Sequence, residues 1–89
     1  MEIKKDEDRY YRTTNLALAI FLFAHHQQVA GINETGDSSE KQFAFIRATQ
    51  LDELIQSYRF GPNSDPNLMV NVRLYEEARR FLLDRLNGK

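Results

Sequence analysis

The chain has 89 residues, which indicates one domain with a small core, because a chain of this length buries only about 60–65% of the surface that its unfolded form exposes. It contains no cysteine, which excludes disulfides and thiolate metal sites and fits a reducing compartment, so we expect a cytoplasmic location. Twelve basic and thirteen acidic residues give a formal net charge of −1. This balance argues against attraction of the whole molecule to nucleic acid or to an anionic membrane, but it leaves room for a local basic face.

The longest apolar segment, residues 16 to 24, is too short for a membrane span, which needs about 20 residues. It has the length of a signal-peptide core, but an acidic run at residues 6 to 8 precedes it. No small-residue cleavage site follows it either, so we expect neither a signal peptide nor a membrane partner.

The N-terminal part of the chain predicts a tail, a strand and a helix. Residues 1 to 9 carry mixed charges and predict a disordered tail. Tyr10 to Thr13 favours a short strand. A helix is expected from Leu16 to about His26, capped by Thr14 or Asn15. A buried strand is the alternative, because a continuous apolar run has no diagnostic period, but the leucines and alanines favour the helix.

The middle of the chain predicts a β-hairpin. Residues 28 to 33 are expected to form a strand in which Gly31 marks a bulge, and residues 34 to 40 are rich in turn-forming side chains. Lys41 to Arg47 is the clearest strand, with apolar side chains on both of its faces. A strand that is apolar on both faces belongs at the centre of the sheet.

Two helices close the chain. Thr49 is expected to cap the first of them, with Asp52 three residues on as a capping-box variant. This helix is expected to end at the stop signal Gly61-Pro62. Asn71 is expected to cap the second, which extends from Val72 to Leu86 and carries apolar residues at helical spacing.

These elements predict an α+β domain over residues 10 to 89 in the order β-α-β-β-α-α. A small antiparallel sheet, made of the β-hairpin and the short N-terminal strand, is expected to pack against three helices. A parallel sheet of βαβ units is the alternative, but the connection at residues 34 to 40 is too short for a crossover.

No residue pattern indicates catalysis, a cofactor or a metal ion. His25 and His26 are adjacent, and adjacent side chains of a helix point about 100° apart, so they rarely bind one ion. The sequence has no glycine-rich nucleotide loop and no G-x-S-x-G nucleophile motif. Its carboxylates fit a solvated helix face better than an acid–base pair. We therefore expect no enzymatic activity, no cofactor and no metal site.

The apolar residues are more numerous than a single layer of helices on a sheet needs to bury. The surplus includes the apolar first helix, the two-faced strand, Tyr58, Phe60 and Met69. A sheet leaves one face open unless something covers it, and a two-fold dimer is the commonest solution. We therefore expect an interaction or assembly domain that associates with itself. The expected assembly is a homodimer or a complex with a protein partner. The alternative is that three helices cover everything.

Nucleic-acid binding is the competing function. Aromatic side chains next to arginines are typical of single-strand binding sites, where rings stack on bases and guanidinium groups contact phosphates. Acidic neighbours interrupt the basic stripe of the last helix, so nucleic acid is not the favoured partner. The candidate residues belong to the first strand and the last helix: Tyr10, Tyr11, Arg12, Arg73, Arg79 and Arg80.

The segment Y-R-T-T-N-L-A-L-A at residues 11 to 19, followed by Phe21-Leu22, resembles the opening Y-x-T-x-[DN]-L-x-L-A of a family of small bacterial and phage domains of unknown function. That family continues with a glycine-bearing strand, an F-x-F strand, a short helix and a charged final helix. The corresponding segments follow in the same order: Gly31, Phe43 to Phe45, Leu51 to Tyr58, and Val70 to Leu86. The resemblance covers residues 10 to 86, although Gly61 to Pro66 is longer than expected. It implies a bacterial stand-alone domain and names no site residues.

Overall fold

The computed structural model of the chain describes residues 9–34 and 41–86. Three predicted features lie largely outside the described residues: the tail apart from residue 9, the turn apart from residue 34, and the end of the last helix at residues 87 and 88. A 3-10 turn, Pro66–Leu68, precedes the last helix. The strands and helices are β1 (Tyr10–Thr13), α1 (Leu16–Ala24), β2 (Val29–Glu34), β3 (Lys41–Ile46), α2 (Thr49–Phe60) and α3 (Val72–Leu86). The α+β class and the predicted order of elements are confirmed.

The three strands form one antiparallel sheet in the order β1-β3-β2. The central place of β3 is confirmed, and Phe45 lies opposite Tyr11 on one side and opposite Val29 on the other. The register of β2 shifts between Val29 and Gly31, which confirms the predicted bulge. Within the described residues, β1 and β2 are edge strands, and each pairs with a neighbour on one side only.

The three helices cover one face of the sheet. Phe43 and Phe45 are at most 1% exposed, and they belong to a core that takes residues from all three helices. Each such side chain contributes about 1.5–3 kcal/mol when it is buried. The helical residues at the centre of this core include Leu18, Leu22, Leu51, Leu54 and Leu82.

None of the described helices covers the other face of the sheet, which we call the open face. Ala44 is 5% exposed, yet it does not belong to the main core. Since successive residues of a strand face opposite sides, Ala44 and Ile46 lie on the face without helices. Their partners across β1, Arg12 and Tyr10, share that face.

The segment that begins at Leu16 forms a helix, as predicted, but α1 ends two residues earlier than expected. Its cap is Asn15, whose side chain accepts a hydrogen bond from the backbone N–H of Leu18 at 3.1 Å. It ends at Ala24 because His26 adopts a left-handed conformation with φ 69°. The N–H of Gln27 then donates to the carbonyl of Leu22 at 3.1 Å, which completes a Schellman motif. Glycine usually occupies the left-handed position, where another residue costs roughly 1–2 kcal/mol.

The predicted cap of α2 is wrong. The capping position is Ala48, whose side chain offers no acceptor, and Thr49 is the first helical residue. Asp52, expected to complete a capping box with Thr49, instead accepts from Nη1 of Arg47 at 3.1 Å. The predicted stop is confirmed, since α2 ends at Phe60, directly before Gly61-Pro62.

The predicted cap of α3 is confirmed. The side-chain oxygen of Asn71 accepts from the backbone N–H groups of Arg73 at 2.8 Å and Leu74 at 3.2 Å. Within residues 9–34 and 41–86, no helix combines the length and the apolar character needed to cross a membrane.

Candidate interaction site

An aromatic pair joins α1 to α3 at the protein surface. The rings of Phe23 and Phe81 are stacked, with their centroids 4.9 Å apart and their planes 5° from parallel. The guanidinium carbon of Arg85 lies 4.9 Å from the centroid of the Phe81 ring. Although it makes both contacts, Phe81 remains 39% exposed. The apolar side of α3 therefore continues beyond the core, whose α3 members are Ala78 and Leu82.

A groove lies on each side of this pair. The first, about 520 Å³, is formed by the end of α1 and the first half of α3, including Leu74 and Glu77. The second, about 450 Å³, is formed by β2 and the second half of α3, including Arg85. Phe23 and Phe81 line both grooves, so the two form one continuous surface. We call this surface the Phe81 face, made of Phe23, Leu74, Glu77, Phe81 and Arg85.

The Phe81 face borders an edge of the sheet. Residues 28 to 32 line the second groove, and β2 pairs only with β3 in the described part of the chain. One side of the β2 backbone thus has no strand beside it among residues 9–34 and 41–86. Such an edge can accept a further strand or peptide, and proteins usually block it with charges, prolines or bulges. The bulge at Gly31 is one such feature.

Two opposite charges lie on the Phe81 face. Glu77 and Arg85 are each four residues from Phe81 along α3, one lining each groove. Neither has an ion-pair partner among the described residues. Both side chains are therefore free to contact a group from outside the chain.

The predicted nucleic-acid residues of β1 are divided between the two faces of the sheet. Tyr10 and Arg12 lie on the open face, with the Arg12 guanidinium carbon 5.5 Å from the centroid of the Tyr10 ring. They border a shallow pocket of about 190 Å³ whose floor contains Ala44. Tyr11 lies on the helix-covered side, where its hydroxyl accepts a hydrogen bond from Nη2 of Arg59 at 3.0 Å.

The predicted arginines of α3 are exposed and lie apart from β1. Arg79 and Arg80 line a surface cavity together with the carboxylates of Glu76 and Asp84. Arg73 is in the first turn of the helix. Because α3 packs with the other helices on the covered side of the sheet, these arginines do not join Tyr10 and Arg12 in one surface.

Two arginines outside the six predicted nucleic-acid residues lie next to Tyr10. Arg9 and Arg47 line a surface cavity of about 480 Å³ together with Tyr10 and the first turn of α2. The carbonyl of Arg9, which the sequence placed in the tail, accepts a hydrogen bond from the N–H of Arg47 at 2.8 Å. The signal was present in the sequence, because Arg9 precedes one strand and Arg47 follows another. Antiparallel pairing of those strands brings the two residues together.

The two histidines are adjacent in sequence, but their side chains have different environments. His25 packs edge-on against Phe21, with ring centroids 4.7 Å apart, and its Nε2 is buried without a hydrogen-bond partner among the described residues. Desolvation lowers the pKa of His25, the charge of His26 lowers it further, and a backbone interaction with Asn67 opposes both. The described residues contain no group of three or more histidine, cysteine or carboxylate side chains that could hold an ion.

Comparison of the chain with models of protein families, with curated proteins and with solved structures finds no match. The resemblance of residues 10 to 86 to a family of small bacterial and phage domains stays a prediction.

Proposed function

We propose that this chain is a non-enzymatic interaction and assembly domain of a bacterial cytoplasm, and that it associates with copies of itself through the Phe81 face. The observation that carries the proposal is the stacked pair of Phe23 and Phe81, which has a groove on each side and remains partly exposed. Partly exposed aromatic side chains are enriched at protein–protein interfaces, where they often contribute most of the binding energy.

The apolar part of this face has a physical reason to be covered. Leu74 is 38% and Phe81 is 39% exposed, so both retain apolar area in contact with water. Burial of apolar area is favourable by about 25 cal/mol per Å². A chain of 89 residues has a small core, and burial against a partner adds to a stability that is marginal in small domains. Self-association therefore stabilises the fold as well as the assembly.

The arrangement of charge on the face fits the same proposal. The centre of the face is apolar, and its two charged side chains, Glu77 and Arg85, flank it. Interfaces of stable complexes have few charges at the core and polar groups at the rim. A face of this kind needs no ligand or cofactor to explain its composition.

The test is the solution mass of the untagged protein, measured by light scattering over a concentration series. We expect the wild type to form a dimer and Phe81→Ser to shift the equilibrium towards monomer. Phe60→Ser is the matched control, because Phe60 is 76% exposed and lines neither groove. A wild type that stays monomeric at every concentration contradicts the proposal, and so does a Phe60→Ser effect as large as that of Phe81→Ser.

A second candidate function is binding of single-stranded nucleic acid around Tyr10, where the start of β1 lies beside the end of β3. The observation that favours it is the group of Arg9, Tyr10, Arg12 and Arg47, which borders two adjacent cavities that share Tyr10. Stacking on an aromatic ring and phosphate contacts from arginines are the two elements of such sites. Asp52 weakens the positive potential, since it pairs with Arg47 at 3.1 Å. Self-association remains the proposal with the stronger support.

A further inference from the structure

We infer that two copies of this chain meet about a two-fold axis at Phe81, with their α3 helices antiparallel and Glu77 of each copy paired with Arg85 of the other. The inference rests on the proposed function, self-association through the Phe81 face. It adds the orientation of the copies and the residues that determine it.

The spacing along α3 supports this register. Glu77, Phe81 and Arg85 are separated by four residues each, and side chains at this spacing lie in one row along a helix. Four residues correspond to about 6 Å along the helix axis. The acid and the base are therefore equidistant from Phe81, one towards each end of the helix.

A two-fold axis through Phe81 pairs each charge with its opposite. Antiparallel helices related by this axis place residue 77 of one copy next to residue 85 of the other, and the contact occurs twice. In a two-fold interface, the same surface of both copies is in contact, so it must be complementary to itself. The Phe81 face meets this condition, because its acid and its base lie on opposite sides of an apolar centre.

A parallel arrangement of the same helices is disfavoured. A two-fold axis parallel to α3 would set Glu77 against Glu77 and Arg85 against Arg85. Like charges placed against each other suppress an association. The charge pattern of the Phe81 face therefore selects one orientation of the second copy.

The side chains have the chemistry for this contact. Arg85 already stacks on Phe81, with 4.9 Å between the guanidinium carbon and the ring centroid. Stacking uses the flat face of a guanidinium group, whereas the N–H donors point outward from its edge and can bind a carboxylate. Helices in contact lie about 8–10 Å apart, a distance that glutamate and arginine side chains span together. Neither charge has a competing ion-pair partner in the described part of the chain.

Reversal of single charges tests the inference. In Glu77→Arg the dimer would contain two arginine pairs, and in Arg85→Glu it would contain two glutamate pairs. We expect each single variant to raise the dimer dissociation constant at least roughly tenfold at low salt, because two attractive contacts become repulsive. The double variant, with both charges exchanged, restores the opposite pairs, so we expect a dissociation constant close to that of the wild type.

Matched controls come from the neighbouring positions of the same helix. Glu76→Arg and Arg80→Glu make the same charge changes, but these residues border a cavity on another side of α3. We expect both to leave the dissociation constant within about threefold of the wild type, since exposed charges outside an interface contribute little. Circular dichroism of every variant checks that the fold is kept.

The outcomes separate this inference from the function on which it rests. A weakened association in both single variants, rescued in the double variant, supports the antiparallel pairing. A wild-type dimer that is insensitive to the single variants, or that the double variant fails to restore, overturns the pairing and leaves self-association intact. A monomeric wild type overturns both. Equal effects of the matched controls also overturn the pairing, because they would indicate a response to net charge alone.

Discussion

His25 and His26 are adjacent at the end of α1, yet their side chains have different environments. The ring of His25 packs on Phe21, and its buried Nε2 lacks a partner in the described part of the chain. His26 is exposed and takes the left-handed conformation that ends the helix. His25 therefore makes the stability of the fold depend on pH, whereas the left-handed backbone of His26 costs conformational energy at every pH.

We expect the free energy of unfolding to fall as the pH decreases below about 6.5, the pKa of an unperturbed histidine. Burial lowers the pKa of His25 in the folded state, so the unfolded chain binds a proton at a pH where the folded chain does not. The stability contributed by neutral His25 is complete above the unfolded pKa and is lost as the pH falls towards the folded one. In His25→Phe this dependence disappears, which flattens the profile. Urea denaturation of the wild type and of His25→Phe at several pH values measures this pH dependence of the free energy of unfolding.

His26→Gly is the control for this experiment. Glycine adopts positive φ without the steric cost of a side chain, so we expect the free energy of unfolding to rise by about 1 kcal/mol at all pH values. Most of the slope below pH 6.5 remains, because His25 is still present. An unchanged slope in His25→Phe would show that other groups cause the pH dependence.

The helices differ in how their first turns are satisfied. Asn15 and Asn71 accept hydrogen bonds from backbone N–H groups of α1 and α3. At the start of α2, Ala48 offers no acceptor, and the first-turn acid Asp52 is paired with Arg47. The three helices are thus stabilised differently. Because α2 has no side-chain cap, it depends more than α1 and α3 on the burial of Leu51 and Leu54.

Exchange of the capping residues makes this difference measurable. We expect Asn71→Ala to lower the free energy of unfolding by about 1 kcal/mol and Ala48→Ser to raise it by roughly 0.5–1 kcal/mol. Thr14→Ala is the control, since Asn15 and not Thr14 caps α1, and we expect it to stay within about 0.5 kcal/mol of the wild type. Chemical denaturation measures all three variants. If Ala48→Ser does not raise the free energy of unfolding, the backbone N–H groups in the first turn of α2 already have hydrogen-bond acceptors.

At the scale of the whole molecule, the sheet has two surfaces with different chemistry. The helix-covered side carries the Phe81 face between α1, α3 and the edge strand β2. The open side carries Tyr10 and Arg12, together with the small side chains of Ala30 and Ala44. Because these surfaces are on opposite sides of the sheet, an assembly through the first leaves the second accessible.

The open side gives the second candidate function its own prediction. We expect fluorescence anisotropy to detect salt-dependent binding of a labelled single-stranded oligonucleotide, weakened in Tyr10→Ala by about 1–3 kcal/mol for loss of one stacked base. Arg12→Ala lowers both the affinity and its salt dependence. Arg79→Ala is the control, as Arg79 lies among Glu76 and Asp84 on α3. Absence of binding at low salt would contradict this candidate function.

Local patterns determined most of the fold. The apolar side chains on both faces of Lys41 to Arg47 predicted a central strand, the cap Asn71 predicted the start of α3, and Gly61-Pro62 predicted the end of α2. Each of these signals acts over a few residues, so it can be recognised without knowledge of the tertiary structure. The errors are local as well: Thr49 has the chemistry of a cap, but β3 ends one residue earlier than predicted and the helix begins at Thr49 itself.

The candidate site was decided by the tertiary structure. Phe81 is one of several apolar residues of α3, and its periodicity does not distinguish it from Leu82, which is fully buried. Its exposure and its stacking on Phe23 depend on how α1 packs against α3. The separation of Tyr10 and Arg12 from the arginines of α3 has the same origin. A sequence specifies which side chains share one face of an element, whereas the packing of elements determines which faces meet and which remain in contact with water.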